Sequence, residues 1–294
     1  MNKTEENKPL EIAEIDRAAM RASFEKAAVS YDAAAVLQQE VADRLVERMG
    51  FMAMKPVSIL DCGSGTGFIS QLLAERYPKA KITALDLAFN MLKQARGKRT
   101  FKQRWKKQFR YVNADVESLP FADASMELII SGLTLQWCQD LPKVFKEFKR
   151  VLAPGGLLMF SSFGPDTLKE LRQSWAEVDD LAHVNAFADL HDVGDALMQS
   201  GFADPVMDME MLTVTYNDVK TVMRDLKQIG AHNVMQGRSH HVTGKNKLQK
   251  MIKAYEQFRE DGLLPVSHEI VYGHAWVAEA QEKEIGIVVP FSKG

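Results

Sequence analysis

An acid followed by three alternate glycines, Asp61-Cys62-Gly63-Ser64-Gly65-Thr66-Gly67, is the stretch of this chain with the clearest chemical character. Glycine takes φ values closed to other residues and lets the backbone approach a ligand closely. The run before it, Val57-Ser58-Ile59-Leu60, suits a strand buried on both faces, and Phe68, Ile69, Leu72 and Leu73 behind it have helical spacing. The glycines therefore lie at a strand-to-helix turn. A dinucleotide fingerprint, G-x-G-x-x-G, needs a glycine where this chain has Phe68, which argues against NAD. Asp86 ends the next apolar run, 81–85, roughly 20 residues past the turn, where a carboxylate accepts both hydroxyls of a ribose.

The rest of the chain must hold that turn. Its 294 residues suffice for one core with additions rather than two independent domains, and a hydrophobic fraction of 46% is ample. A formal net charge of −2 gives no global reason to expect nucleic-acid or membrane binding. Cys62 and Cys138 show no C-x-x-C or zinc spacing, as in a reducing compartment. No apolar run approaches the ~20 residues of a membrane span, and residues 1–10 are too polar for a signal peptide. The expectation is a cytoplasmic protein without a metal site, with a monomer favoured.

Helical spacing covers 11–31 and again 37–49, where Leu37, Val41, Leu45 and Met49 stack at i+4 before Gly50. Strands are expected at 109–113, ending before Asp115, and at 126–131, running into Gly132-Leu133-Thr134-Leu135-Gln136-Trp137-Cys138. Open α/β sheets present their chemistry at the carboxyl ends of central strands, which points Gln136 and Trp137 at the site. An amphipathic helix follows at 142–151, and Ala153-Pro154-Gly155-Gly156 reads as a turn into a strand at 157–163. Thr167 with Glu170 predicts a capping box for a helix through Trp175, and Asp189 caps another before Gly201. Alternation at 211–216 and 268–277 suits a closing antiparallel pair. The residues between them are too many for a hairpin loop, and Val219, Val222, Met223 and Leu226 share a helical face. Between 98 and 110, Lys98, Arg99, Lys102, Arg104, Lys106, Lys107 and Arg110 occur with no acid among them, a cluster that attracts an acidic partner. Phe101, Trp105 and Phe109 recur at i+4, which predicts an inward helix face beneath those cations.

The D-x-G-x-G-x-G turn, Asp86, Asp115 with Ser118-Leu119-Pro120-Phe121, and the Pro-Gly-Gly turn together resemble the class I S-adenosylmethionine (SAM) methyltransferases. The resemblance implies an α/β, Rossmann-like fold with a seven-stranded, mostly parallel sheet, an antiparallel final strand, N-terminal helices and a helical lid insertion. One domain would span 1–294, with N-terminal helices at 11–50, a core at 56–216 and 266–280, and a lid at 217–265. It also implies a cofactor site. Asp61, Gly63, Ser64, Gly65 and Gly67 would surround the methionine part, Asp86 the ribose, Leu87 and Met91 the adenine, and Asp115 with Val116 the adenine amino group. Ser131 and Leu133 would border it at the strand end, and Tyr31 would close over it from the N-terminal segment. Many members carry an asparagine where this chain has Gly132, so that position's role does not carry over.

The Phe24/Tyr31 segment, Gln136-Trp137-Cys138, the segment 226–231 and Gly237-Arg238 resemble, more narrowly, the malonyl-acyl-carrier-protein O-methyltransferase family. That implies SAM as donor, S-adenosylhomocysteine as product, malonyl-acyl-carrier protein or malonyl-CoA as acceptor, and an early place in pimeloyl and biotin synthesis. An ionised carboxylate acceptor needs no general base, only alignment and exclusion of water. A cation should orient it, with Arg238 first, then Lys227 and Arg172, and the pair His240-His241 behind them. Tyr31, Gln136 and Trp137 complete the expected catalytic set. The carrier protein is acidic, which gives a partner to the basic run or to Lys143, Lys146, Lys149 and Arg150. Gly164-Pro165-Asp166-Thr167-Leu168 and Tyr272-Gly273-x-Ala275-Trp276 are also similar to a sister group, methyltransferase-like protein-arginine hydroxylases that assist assembly of respiratory complex I. That second reading keeps the fold and changes the acceptor.

Overall fold

The computed structural model describes residues 15–230 and 244–279. Among these, β1 (Ser58–Cys62), β2 (Lys81–Asp86), β3 (Phe109–Asn113), β4 (Met126–Gly132), β5 (Leu152–Phe163), β6 (Ala203–Tyr216) and β7 (Leu264–Trp276) form one sheet. Its order is β3-β2-β1-β4-β5-β7-β6. The first five strands pair in parallel, and β7 runs antiparallel to both β5 and β6. Parallel strands need cover on both faces, which is why Ile59, Leu60, Ile82, Leu85, Leu128 and Ile129 are all fully buried.

Helices supply that cover. The segment ahead of β1 forms α1 (Arg17–Ala27), α2 (Tyr31–Ala34) and α3 (Val36–Arg48); α4 (Phe68–Arg76) follows the glycine turn, and α5 (Phe89–Gly97) and α6 (Phe101–Trp105) follow β2. Beyond β4 come α7 (Leu141–Val151), α8 (Lys169–Ala176) and α9 (Leu190–Gln199), with α10 (Val219–Gln228) and α11 (Lys245–Tyr255) between β6 and β7. The i+4 stripe Val41 and Leu45 of α3, continued by Met49 just past its end, packs with Leu73 of α4 on one sheet face, while Phe145, Phe148 and Val151 of α7 pack with Leu197 of α9 on the other. The Asp140 side chain starts α7 by accepting from Lys143 N at 2.9 Å. A third apolar cluster joins Val219 and Val222 of α10 and Met251 and Tyr255 of α11 to Leu171 and Trp175 of α8. No helix among the described residues is long and apolar enough to cross a membrane.

Four local expectations are corrected. Phe101 and Trp105 are 86% and 78% exposed, because α6 stops at Trp105 and Phe109 already belongs to β3. The Thr167–Glu170 capping box does not form. Leu168 holds the N-cap position at φ 58, Thr167 Oγ1 donates to the Glu269 carbonyl at 3.1 Å, and the Glu170 carboxylate accepts from Ser267 N at 3.0 Å, so β7 takes both side chains. The Pro-Gly-Gly segment lies within β5 as an irregularity, since pairing with β4 jumps from Met126↔Leu152 to Leu128↔Leu157. The closing strands are also longer than 211–216 and 268–277. The proline and acids of 203–210 mask a strand in the sequence, but they are tolerated on β6, the sheet's edge.

Candidate active site

β1 ends in the glycine turn, and Gly63 N and Ser64 N donate to the Leu85 carbonyl at 2.8 and 2.9 Å, tying the turn to β2. Gly63 sits at φ 71, and a Cβ there would fall inside the Thr134 side chain. Gly65, at φ 52, has nothing within 4 Å of an added Cβ and faces open space. Gly67 serves packing, since a Cβ would come within 2.9 Å of Ala95 on α5. Beneath the turn, Asp61 is fully buried. Its Oδ2 accepts from Ser70 Oγ at 2.5 Å, and its Oδ1 has no partner. Burial pushes this carboxyl up to about 7, with the Ser70 bond opposing and Asp86 adding. Asp86 accepts from Gly65 N and Ala88 N, both at 2.8 Å, and burial raises it to about 6 against those two bonds.

The N-terminal helices close the site from above. Glu25 on α1 accepts from Phe89 N and Asn90 N at 2.7 Å each, capping α5 with a residue from another helix. Arg17 pairs with Asp115 and, at 3.0 Å, with Glu117. Phe24 meets Trp137 edge to face at 5.3 Å. Thr66 Oγ1 donates to Asp32 at 2.5 Å, and Asp32 pairs with Lys98 at 2.5 Å.

Three cavities meet under this cover. The first is lined by Asp86, Leu87, Met91, Asp115, Val116 and Leu133, with Trp137 and Tyr31. The second follows the glycine turn past Gly63, Ser64, Gly65 and Leu133 and shares Tyr31. The third, about 240 Å³, is walled by Phe163, Trp175, Phe187, Met223, His183 and His268, with Lys227. It shares Trp137 with the first cavity and Gln38 with the second.

Of the residues singled out from the sequence, Gly63, Ser64, Gly65, Asp86, Leu87, Met91, Asp115, Val116 and Leu133 line the first two cavities. Asp61, Gly67 and Ser131 do not; Ser131 lies inside the sheet, donating to the Cys62 carbonyl at 3.1 Å. Tyr31 and Trp137 line the junction. Gln136 braces it instead, its Nε2 donating to the Leu133 carbonyl at 2.7 Å and holding that residue at φ 48. Lys227 reaches the third cavity. Arg172 turns to an outer face, donating to the Pro165 and Thr167 carbonyls at 2.8 and 3.0 Å, so it is not at the third cavity. Arg238, His240, His241 and the rest of 231–243 fall outside the described residues. Arg17, Glu25, Gln38 and His268 escaped the sequence reading. Gln38 sits beside the apolar stripe of its helix, and Glu25, four residues from Arg21, has the look of a surface pair; only the fold brings either to the site.

The first two cavities suit SAM on their own features: carboxylates placed for hydroxyl and amino donors, a buried Ser64 Oγ without a partner, and open space at Gly65. With the 3-2-1-4-5-7-6 sheet they define a class I SAM-dependent methyltransferase. The family described as methyltransferase domain matches residues 60–160. The chain is 51% identical over 267 residues to the malonyl-[acyl-carrier protein] O-methyltransferase of Gallionella capsiferriformans, covering 89% of this chain and 91% of that protein. It is 52% identical over 274 residues to the protein of the same name from Nitrosospira multiformis, covering 89% of each. Among solved structures, the YcgJ protein of Bacillus subtilis has a TM-score of 0.58 at 15% identity, covering 82% of this chain and 99% of that one. Phosphoethanolamine N-methyltransferase 2 of Haemonchus contortus, solved with SAM, gives 0.52 at 16% identity, covering 87% and 57%; these two show the fold. The chain belongs to the malonyl-[acyl-carrier protein] O-methyltransferase family, and SAM is its methyl donor.

Proposed function

We propose that this chain is a carboxyl O-methyltransferase that converts the free carboxylate of malonyl-acyl-carrier protein, or of malonyl-CoA, to its methyl ester, early in pimeloyl and biotin synthesis. The observation that carries the reading is the junction at Trp137 and Gln38, where a largely apolar cavity shares a wall with each of the two cavities that suit the donor. The names of the relatives support the choice of acceptor. SAM supplies an activated methyl group on a sulfonium. The acceptor carboxylate is already ionised at neutral pH, so the chain's residues align rather than deprotonate. Asp86 and Asp115 hold ribose and adenine, and Arg17 and Glu25 fix the cover above them. Burial, reinforced by Asp86 and Asp32, pushes the Tyr31 phenol up, which keeps it a hydrogen-bond donor and not a base. Phe163, Trp175 and Phe187 exclude water from the acceptor, which keeps the carboxylate reactive.

In this reading 217–265 is a substrate lid on a single domain, Lys227 and Arg238 draw the acceptor in, and the acidic carrier meets a basic surface such as 98–110. A cytoplasmic monomer fits this role. The test is methyl transfer from labelled SAM to malonyl-acyl-carrier protein, with acetyl-acyl-carrier protein and malonyl-CoA in parallel. Base-labile label on malonyl species and none on the acetyl species is the expected result. Absence of label on every acceptor, despite SAM binding, rejects the reading.

A further inference from the structure

The acceptor cavity contains two buried polar atoms without a hydrogen-bond partner, Gln38 Oε1 and His268 Nδ1. Gln38 stands in the first turn of α3 and lines both the acceptor cavity and the cavity along the glycine turn, so it borders the gap a methyl group must cross. A buried amide oxygen left unpaired costs roughly 1–3 kcal/mol, so each one calls for an explanation, and beside the acceptor cavity a bound ligand supplies one. An amide also turns over readily. Rotation about its last torsion exchanges oxygen for NH2 in the same envelope, so this side chain can present two N–H donors to that gap.

We propose that Gln38 holds the attacking carboxylate, its amide N–H donating to one carboxylate oxygen while the other oxygen faces the methyl group. This rests on the carboxyl-methylation reading above. The carboxylate oxygen forms the new C–O bond as the C–S bond breaks, the electron pair leaves on sulfur, and no proton is transferred. The carboxylate's negative charge is consumed in that step. A cation bound tightly to it stabilises the ground state more than the transition state, whereas a neutral amide orients it with less of that penalty.

The surroundings agree. Among the described residues lining this cavity, Lys227 is exposed on α10. His183 is engaged by Asp179 at 2.7 Å and stacked on Trp175 at 3.8 Å. Burial takes the His268 imidazole down to about 4, so it is neutral. Among the described residues, the inner wall beside Gln38 is thus uncharged.

The experiment compares the full-length wild type with Gln38→Leu, Gln38→Asn and Gln38→Glu, measuring S-adenosylhomocysteine affinity and, with malonyl-acyl-carrier protein, kcat and KM. The leucine variant should bind S-adenosylhomocysteine within about twofold of wild type while kcat falls about 10- to 100-fold, the scale of a misplaced nucleophile. The asparagine variant should recover part of the loss. The shape-matched glutamate variant sets a like charge against the acceptor, so its KM should rise steeply and fall again as pH is lowered; it carries the test if the leucine variant does not fold. Wild-type kcat and KM in Gln38→Leu, or a loss of S-adenosylhomocysteine affinity that accounts for the lost activity, would overturn the proposal. A wild type that binds S-adenosylhomocysteine yet never methylates a malonyl acceptor fails at the earlier reading, and this proposal falls with it.

Discussion

Asp61→Asn isolates what the carboxylate beneath the glycine turn costs. In the folded protein its carboxyl rises from 3.8 to about 7, chiefly by burial, which corresponds to about 4 kcal/mol. The native state therefore holds a proton through the window from about pH 4 to pH 7 that the unfolded chain has released. Stability falls as pH rises through that window and levels off above it. Asparagine keeps the shape and can still meet Ser70 Oγ, but it does not ionise. Urea unfolding of the cofactor-free protein from pH 4.5 to 8 should find the smallest difference, about 1 kcal/mol, at the acid end. The asparagine variant should then gain progressively, up to about 4 kcal/mol at pH 8, an upper figure because interior groups relax. Asp86, raised in the same direction, is one of the charges that lift Asp61, so the coupling between the two carboxylates is part of the difference measured. Stability profiles that stay parallel across the whole range would refute the burial argument.

Gly63 and Gly65 should respond differently to alanine. At Gly63 the methyl enters the Thr134 side chain, so Gly63→Ala should lose about 2–4 kcal/mol in denaturant titrations as well as SAM affinity. At Gly65 space is open, and Gly65→Ala should cost only about 1–2 kcal/mol while calorimetry shows SAM affinity falling more than tenfold. Phe101→Ala and Trp105→Ala should each change stability by less than about 0.5 kcal/mol, whereas Phe145→Ala, in the core, should cost about 3–5 kcal/mol. Lys102→Glu with Lys106→Glu should raise KM for malonyl-acyl-carrier protein and leave malonyl-CoA kinetics unchanged if 98–110 meets the carrier; equal effects on both acceptors would remove that surface from consideration.

The strand, glycine turn and second acid were legible because each depends on local physics. Ile59 and Leu60 are apolar and buried, as a doubly covered strand requires, although Val57 proves exposed ahead of β1; the alternate glycines permit left-handed φ, and Asp86 follows at the distance of one helix and one strand. The i+4 stripe of α3 and the Asp189 cap are likewise short-range, and they appear where the pattern placed the helices. Contacts between residues far apart in sequence were not legible. Periodicity alone put Phe101 and Trp105 inward, but nothing in the fold covers the five-residue helix that carries them. Thr167 and Glu170 have capping-box spacing, yet β7 offers buried backbone partners that claim both side chains. Arg172 is a cation of the right type that bonds carbonyls on the wrong face. Gln38 carries no signal in its own neighbourhood, and only the packing of α3 on the sheet makes it the border between donor and acceptor cavities. Local sequence thus determined the cofactor turn, because backbone torsion and hydrophobic period are properties of neighbours. The tertiary structure decided the acceptor side, because a cavity is made by residues whose separation in the chain bears no relation to their separation in space.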